Sequence, residues 1–148
     1  MGNVRMVDIS PKRDVVRIAK ARGVIRLRES TVKAIVEGRV PKGDVFSVAR
    51  VAAILAVKRT WEIVPLCHPI PITSVDVDLH AEGNRVEAVV TVKTIAKTGV
   101  EMEALTGVSA ALLAVWDMVK ALEKDERGQY PYTRIESIEV VEKVKENP

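Results

Sequence analysis

The chain is expected to adopt an α+β fold: a ferredoxin-like antiparallel sheet with helices packed on one face and an extra N-terminal strand and helix. Three observations predict it. Alternating apolar and polar residues mark strands in "VIRLR" (24–28), "RIESIEVVEKV" (134–144) and a central hairpin. Two long segments, 44–59 and 101–124, are apolar at helical spacing. Their order is strand, two helices, hairpin, helix, strand, which contains the strand–helix–hairpin–helix–strand plan.

Each element has its own signals. "VIRLR" alternates apolar and basic residues. In "ESTVKAIVEG", Ser30 offers a cap and Gly38 a stop for a short helix. "PKGD" is a turn whose Asp44 can cap the helix "VFSVARVAAILAVKR". "SVDVDLH" turns Val75, Val77 and Leu79 inward and Asp76, Asp78 and His80 outward. "AEGN" makes the turn, and "RVEAVVTVKTI" returns as the second hairpin strand. The helix over 101–124 has an apolar stripe at Leu105, Val108, Leu112, Val115, Val119 and Leu122, with Ala111, Ala114, Trp116 and Met118 beyond it. The helix over 44–59 carries Ala49, Ala52, Ala53 and Ala56 on one side. Helices apolar nearly all round are buried on most sides. In a chain this small, contacts between subunits are the simplest way to bury them, so a homo-oligomer is expected.

Composition narrows the class. The 148 residues are 47% hydrophobic and 29% charged, with mean hydropathy +0.08, as in one globular domain spanning 1–148. Residues 1–5 read as a disordered extension. No 18-residue apolar run is free of charge and no secretory segment opens the chain, so a cytoplasmic protein with no membrane partner is expected. One cysteine excludes an internal disulfide or a multi-cysteine zinc site within the chain. A single glutamine, Gln129, and asparagines only at 3, 84 and 147 suggest heat adaptation. The net charge of +3 is unevenly spread. Residues 1–60 hold 14 Lys/Arg against 5 Asp/Glu, and residues 61–148 hold 9 against 15. A basic first half can meet an anion, or can be a solvated face. The five aromatics, Phe46, Trp61, Trp116, Tyr130 and Tyr132, are too scattered for a nucleic-acid stacking platform.

"PLCHPIP" (65–71) packs three prolines around the only cysteine and one of two histidines. Proline fixes φ and pushes the preceding residue towards extended conformations, so a rigid extended strut is expected. Alternation then points Leu66, His68 and Ile70 one way and Cys67 the other, which argues against a Cys–His nucleophilic couple. His68 reads either as a structurally hydrogen-bonded ring or as a group aimed at a ligand. A His–Cys metal site lacks companions.

Asp117 and Lys120 in "WDMVKAL" share one helical face. Spacing leaves two readings: an exposed helical ion pair, or a carboxylate and amine facing a cleft and trading protons with a ligand. A partly desolvated lysine with cationic neighbours can serve as a base near neutral pH. In "KTGVEMEALTG", Thr98 and Glu101 fit a capping box, and Glu101 and Glu103 suit a helix N-terminus. The same Lys97-Thr98-Gly99 turn, leading to Met102, could instead meet a heterocycle. Lys42 in "RVPKGD" precedes a helix N-terminus, a weak phosphate-binding signal.

The segments "KGDVFSVARVAAILAVKRTWEIVPLCHPIPI" and "KTGVEMEALTGVSAALLAVWDMVKAL", with the opening "MVDIS", closely resemble the cyclic pyranopterin monophosphate synthase family of molybdenum cofactor biosynthesis. The resemblance runs from Met6 to Lys124, with "LCHP" and "KTGVEMEALT" highly specific as a pair. After Asp125 it fades. Family members often end in a "GGKSG"-type tail, whereas this chain ends "VVEKVKENP". The resemblance implies a lyase that converts 3′,8-cyclo-7,8-dihydroguanosine 5′-triphosphate to cyclic pyranopterin monophosphate and diphosphate. It implies no metal and no organic cofactor. Carried over by position, Asp117, Lys120 and Lys42 are catalytic. Leu66, Cys67, His68, Met102 and Glu103 line the substrate site, with Glu101 and Arg17 as further pocket members. The assembly implied is a hexamer of three dimers with pockets at the dimer interface. Two other classes stay open on residues alone: a non-catalytic module binding a small anion, and a weak nucleic-acid binder. Diphosphate release separates the first from an enzyme, and steep salt dependence of oligonucleotide affinity marks the second.

Overall fold

The computed structural model describes residues 2–147. Its elements run β1 (Val15–Arg26), α1 (Glu29–Val36), α2 (Val45–Lys58), α3 (Thr60–Ile63), β2 (Ile72–Glu82), β3 (Arg85–Ala96), α4 (Glu101–Glu123) and β4 (Arg134–Glu146). The four strands form one sheet in the order β2-β3-β1-β4, with every neighbouring pair antiparallel. The helices lie on one face of it, so the α+β architecture is the one the sequence predicts. The core fills the space between: Ala21, Ile25, Val86, Val90 and Val92 from the sheet, and Val108, Leu112, Val115 and Val119 from α4.

β1 differs from expectation. It begins at Val15 and stops at Arg26, whereas "VIRLR" marks only 24–28. The reason is the size of its inward residues. Ala19, Ala21 and Gly23 face the helices, and small side chains give little hydrophobic signal. They are small because α4 crosses close by. A Cβ on Gly23 would sit 2.8 Å from Val108 Cγ1 and 3.0 Å from Leu112 Cδ1. Strand β1 has β3 along its whole length, from Val15 opposite Ala96 to Arg26 opposite Arg85. On the face away from the helices, Arg22 bridges Glu87 (2.8 Å) and Glu139 (3.1 Å).

The α1 ends are also informative. Gly38, at φ +69°, closes the helix: its amide reaches Ile35 O, and the Arg39 amide reaches Ala34 O, so orphan carbonyls are satisfied. Ser30 is not the cap, because the helix starts after Arg28 and Ser30 lies inside the first turn. A carboxylate from far along the chain instead ties the start of the helix to α4. Glu123, in the last turn of α4 and fully buried, accepts from the Arg28 amide (3.1 Å), the Thr31 hydroxyl and the Thr133 hydroxyl (2.7 Å). Replacing it with alanine strands these donors in a dry site, at about 1–3 kcal/mol for each group left unsatisfied. Glu123→Ala is expected to lower the urea midpoint markedly and Glu123→Gln less so, at fixed subunit concentration. Equal midpoints for parent and Glu123→Ala would show that these bonds contribute nothing.

α2 starts as predicted, with Asp44 accepting from the amides of Phe46 (3.1 Å) and Ser47 (3.4 Å). It then runs antiparallel to α4. Its C-terminal Val57 meets Gly107 near the start of α4, where an added Cβ would lie 2.8 Å from Val57 Cγ2. The buried alanines of α2 are Ala49 and Ala53. Its outer face keeps Val48, Val51 and Leu55 exposed, and Leu113 of α4 is 60% exposed. The α4 stripe is buried through Val108, Leu112, Val115 and Val119, but Leu122 is 38% exposed. By length and apolar composition alone α4 would pass for a membrane span; here its buried residues are core of the fold.

Candidate active site

The antiparallel course of α2 and α4 decides where the predicted site residues lie. The turn before α2 falls beside the C-terminal half of α4, and the chain after α3 falls beside its N-terminus. The residues therefore gather in two clusters, one at each end of α4.

At the C-terminal end stand Lys42, Asp117 and Lys120. Lys42 Nζ lies 3.2 Å from Asp117 Oδ2 and donates to Asp117 O at 3.1 Å. Lys120 Nζ lies 3.0 Å from Asp117 Oδ1. One carboxylate thus sits between two ammonium groups, all three open to solvent. Hydrogen bonds from Lys120 and then Lys42 hold the Asp117 carboxyl below its ordinary pKa. The bond to Asp117 raises Lys120. Within one chain the pair therefore has the geometry of the exposed helical ion pair, and the neighbouring anion, not desolvation, dominates the Lys120 ammonium.

At the N-terminal end stand Cys67, His68, Glu101, Met102 and Glu103. "PLCHPIP" is not extended throughout. Residues 64–67 form a turn closed by Cys67 N to Val64 O (3.0 Å), and only the part from His68 onwards is free of turns. Pro65, in the second position of that turn, suits a bend as well as a strut. Cys67 and His68 still diverge. Cys67 Sγ faces Glu103 Oε2 at 3.8 Å, whereas His68 Nε2 meets Val7 O at 2.7 Å. Burial, then Glu103, pushes the Cys67 thiol up to about 11, so it rests protonated and is a poor nucleophile at neutral pH. Cys67→Ser is expected to keep much of its turnover and His68→Ala to lose considerably more. A covalent adduct trapped on Cys67 during turnover would overturn this.

Glu103 is only 2% exposed, and burial raises its pKa, with Glu101 adding to the effect. Its Oε1 and the Oε2 of Glu101 are buried with no hydrogen-bond donor. Each is a buried acceptor in want of a donor. The capping box does not form: α4 starts after Val100 with no side-chain cap. Glu101 instead pairs with Lys143 of β4, Nζ to Oε1 at 3.5 Å. Arg17 steadies the preceding turn, donating from Nε to Ala96 O and from Nη2 to Lys97 O, both at 3.1 Å. Met102 and Leu66 are partly exposed on the same side, at 38% and 44%. Sequence reasoning missed Lys143, because nothing in "VVEKVKENP" signals that β4 carries it back to the start of α4. It also missed the Val7 carbonyl beside His68. Among the described residues no three His, Cys, Asp or Glu side chains converge as metal ligands.

The clusters do not meet within one chain. Glu103 and Asp117 are fourteen residues apart on one helix, about 21 Å at 1.5 Å per residue. The comparisons with known proteins bear on what such an arrangement serves. The model of the MoaC family matches residues 6–146. The chain belongs to the MoaC family. A relative from Archaeoglobus fulgidus, named "Probable cyclic pyranopterin monophosphate synthase", is 62% identical over 97% of this chain and 92% of its own length. Relatives of the same name from Pyrococcus furiosus and Methanosarcina mazei are 57% and 60% identical, again over 97% of this chain and 92% of theirs. The family match extends through β4, beyond Asp125, where the motif resemblance fades.

Proposed function

We propose that the chain is a lyase of molybdenum cofactor biosynthesis, turning 3′,8-cyclo-7,8-dihydroguanosine 5′-triphosphate into cyclic pyranopterin monophosphate with release of diphosphate. The family match over residues 6–146 carries this reading, with near-full-length relatives that bear the synthase name. The geometry is well suited to it. A guanine-type edge presents N–H donors, and the unpartnered oxygens of Glu101 and Glu103 are acceptors for them. A triphosphate needs cations, which Arg17 and Lys143 supply at the N-terminal end of α4 and Lys42 at the other end. Opening and reclosing a purine ring needs protons moved to and from nitrogen and oxygen, work for the Lys42–Asp117–Lys120 group. Residues 65–71 hold the pocket wall before substrate arrives, which reduces the entropy lost on binding. No metal or organic cofactor is invoked, and the reaction belongs in the cytoplasm.

The separation of the clusters supports a site built by two subunits. In a two-fold dimer the N-terminal end of one α4 can face the C-terminal end of the other, generating two equivalent composite sites. The exposed Val48, Val51, Leu55 and Leu113 favour association into a dimer-based assembly, which we take to be a hexamer. Purified protein given the cyclic nucleotide is expected to release diphosphate and pterin together, and failure to do so would reject the function. Sedimentation at micromolar concentration should give a mass several times 16.3 kDa. A 16.3 kDa species alone would remove the composite site.

A further inference from the structure

A hollow of about 530 Å³ opens where β1 ends, β4 begins and the β2–β3 turn closes. None of its lining residues belongs to either cluster at the ends of α4. Three guanidinium groups line it: Arg26, Arg28 and Arg134. Arg26 and Arg134 share one carboxylate, Glu136, at 2.6 Å and 2.9 Å, so the trio keeps a positive surplus. Glu29 also lines the hollow, and the buried Glu123 carboxylate accepts from the Arg28 amide at 3.1 Å, so both reduce that surplus. Arg26 also donates to Asn84 Oδ1 at 3.2 Å, and Leu27 N to Asn84 O at 2.8 Å, which fixes the wall.

Arg28 stacks 4.6 Å above the Tyr132 ring and donates from Nη2 to Glu123 O at 3.3 Å, while its Nε is buried without an acceptor. Buried unpaired donors in native folds are normally met by water or an ion. Helix α1 begins here too. The Thr31 and Val32 amides return to Arg28 O, at 3.0 Å and 3.1 Å. The amides of Glu29 and Ser30 have no carbonyl partner among the described residues. Fork-shaped guanidinium donors and helix N-terminal amides both match tetrahedral oxyanions. We propose that this hollow binds the phosphate group of a small molecule, at a site separate from the proposed catalytic one.

Equilibrium dialysis of the assembled protein against labelled inorganic phosphate tests this. Two classes of site are expected in the parent. Arg134→Gln, at a side chain 71% exposed and safe for folding, should weaken one class at least tenfold, as should Arg28→Gln. Lys42→Ala should leave that class unchanged. An Arg134→Gln isotherm superimposable on the parent's would overturn the proposal. So would loss of all binding in Lys42→Ala, or no saturable binding in the parent.

Discussion

Lys120→Ala and Asp117→Ala proteins are expected to assemble and bind the nucleotide triphosphate, yet to lose turnover by roughly 10²–10⁴-fold each. Binding survives because Lys42 and Arg17 remain to meet the phosphates. Turnover fails because the trio works as a unit. In the resting site a lowered carboxylate lies between two ammonium groups, one of them raised by it. Removing Asp117 leaves two ammonium groups with no anion between them, which misplaces both amines. Removing Lys120 leaves Asp117 without its nearest donor. The double variant should therefore be little worse than the worse single one. Diphosphate and pterin formation, measured on assembled variants, decides the matter. A few-fold loss in either single variant would reject that residue's role.

Mixing two inactive proteins should restore activity. Lys120→Ala damages one end of α4 and Glu103→Gln the other. If each site takes one end from each subunit, a mixed dimer has one site with both defects and one with none. Random reassortment makes about half of the dimers mixed, so recovery should approach about a quarter of parental activity. The pair Lys120→Ala and Asp117→Ala, both at the same end, should recover nothing, because every site in a mixed dimer keeps one defect. Recovery equal in the two mixtures, or absent from both, would show that the site is not shared in this way.

The elements that sequence reading placed well are those whose signals are local. Asp44 caps α2, and the hairpin alternates through Val75, Val77 and Leu79, because neighbouring residues alone settle both. The Asp117–Lys120 pair was legible from helical spacing. What escaped depended on distant segments. β1 was cut short because Ala19, Ala21 and Gly23 owe their size to α4. Glu101 and Ser30 looked like capping residues, but Lys143 and Glu123 draw the local chemistry elsewhere. The resemblance supplied the membership of the candidate site, and the separation of its two halves came only from the packing of α2 against α4.

Glu123 also bears on the order in which the molecule is completed. It meets the Arg28 amide across 95 residues of chain. An eight-residue helix is too short to persist in water by itself. During synthesis, α1 emerges early but lacks the carboxylate that ties its start to the fold until α4 has been made. The Thr133 hydroxyl on the same carboxylate lies later still. Early contacts are cheap in loop entropy and distant ones costly, so α1 is expected to gain protection from amide exchange late in folding although it comes near the beginning of the chain. The segment that begins the arginine-lined hollow is thus secured only when nearly the whole polypeptide is available.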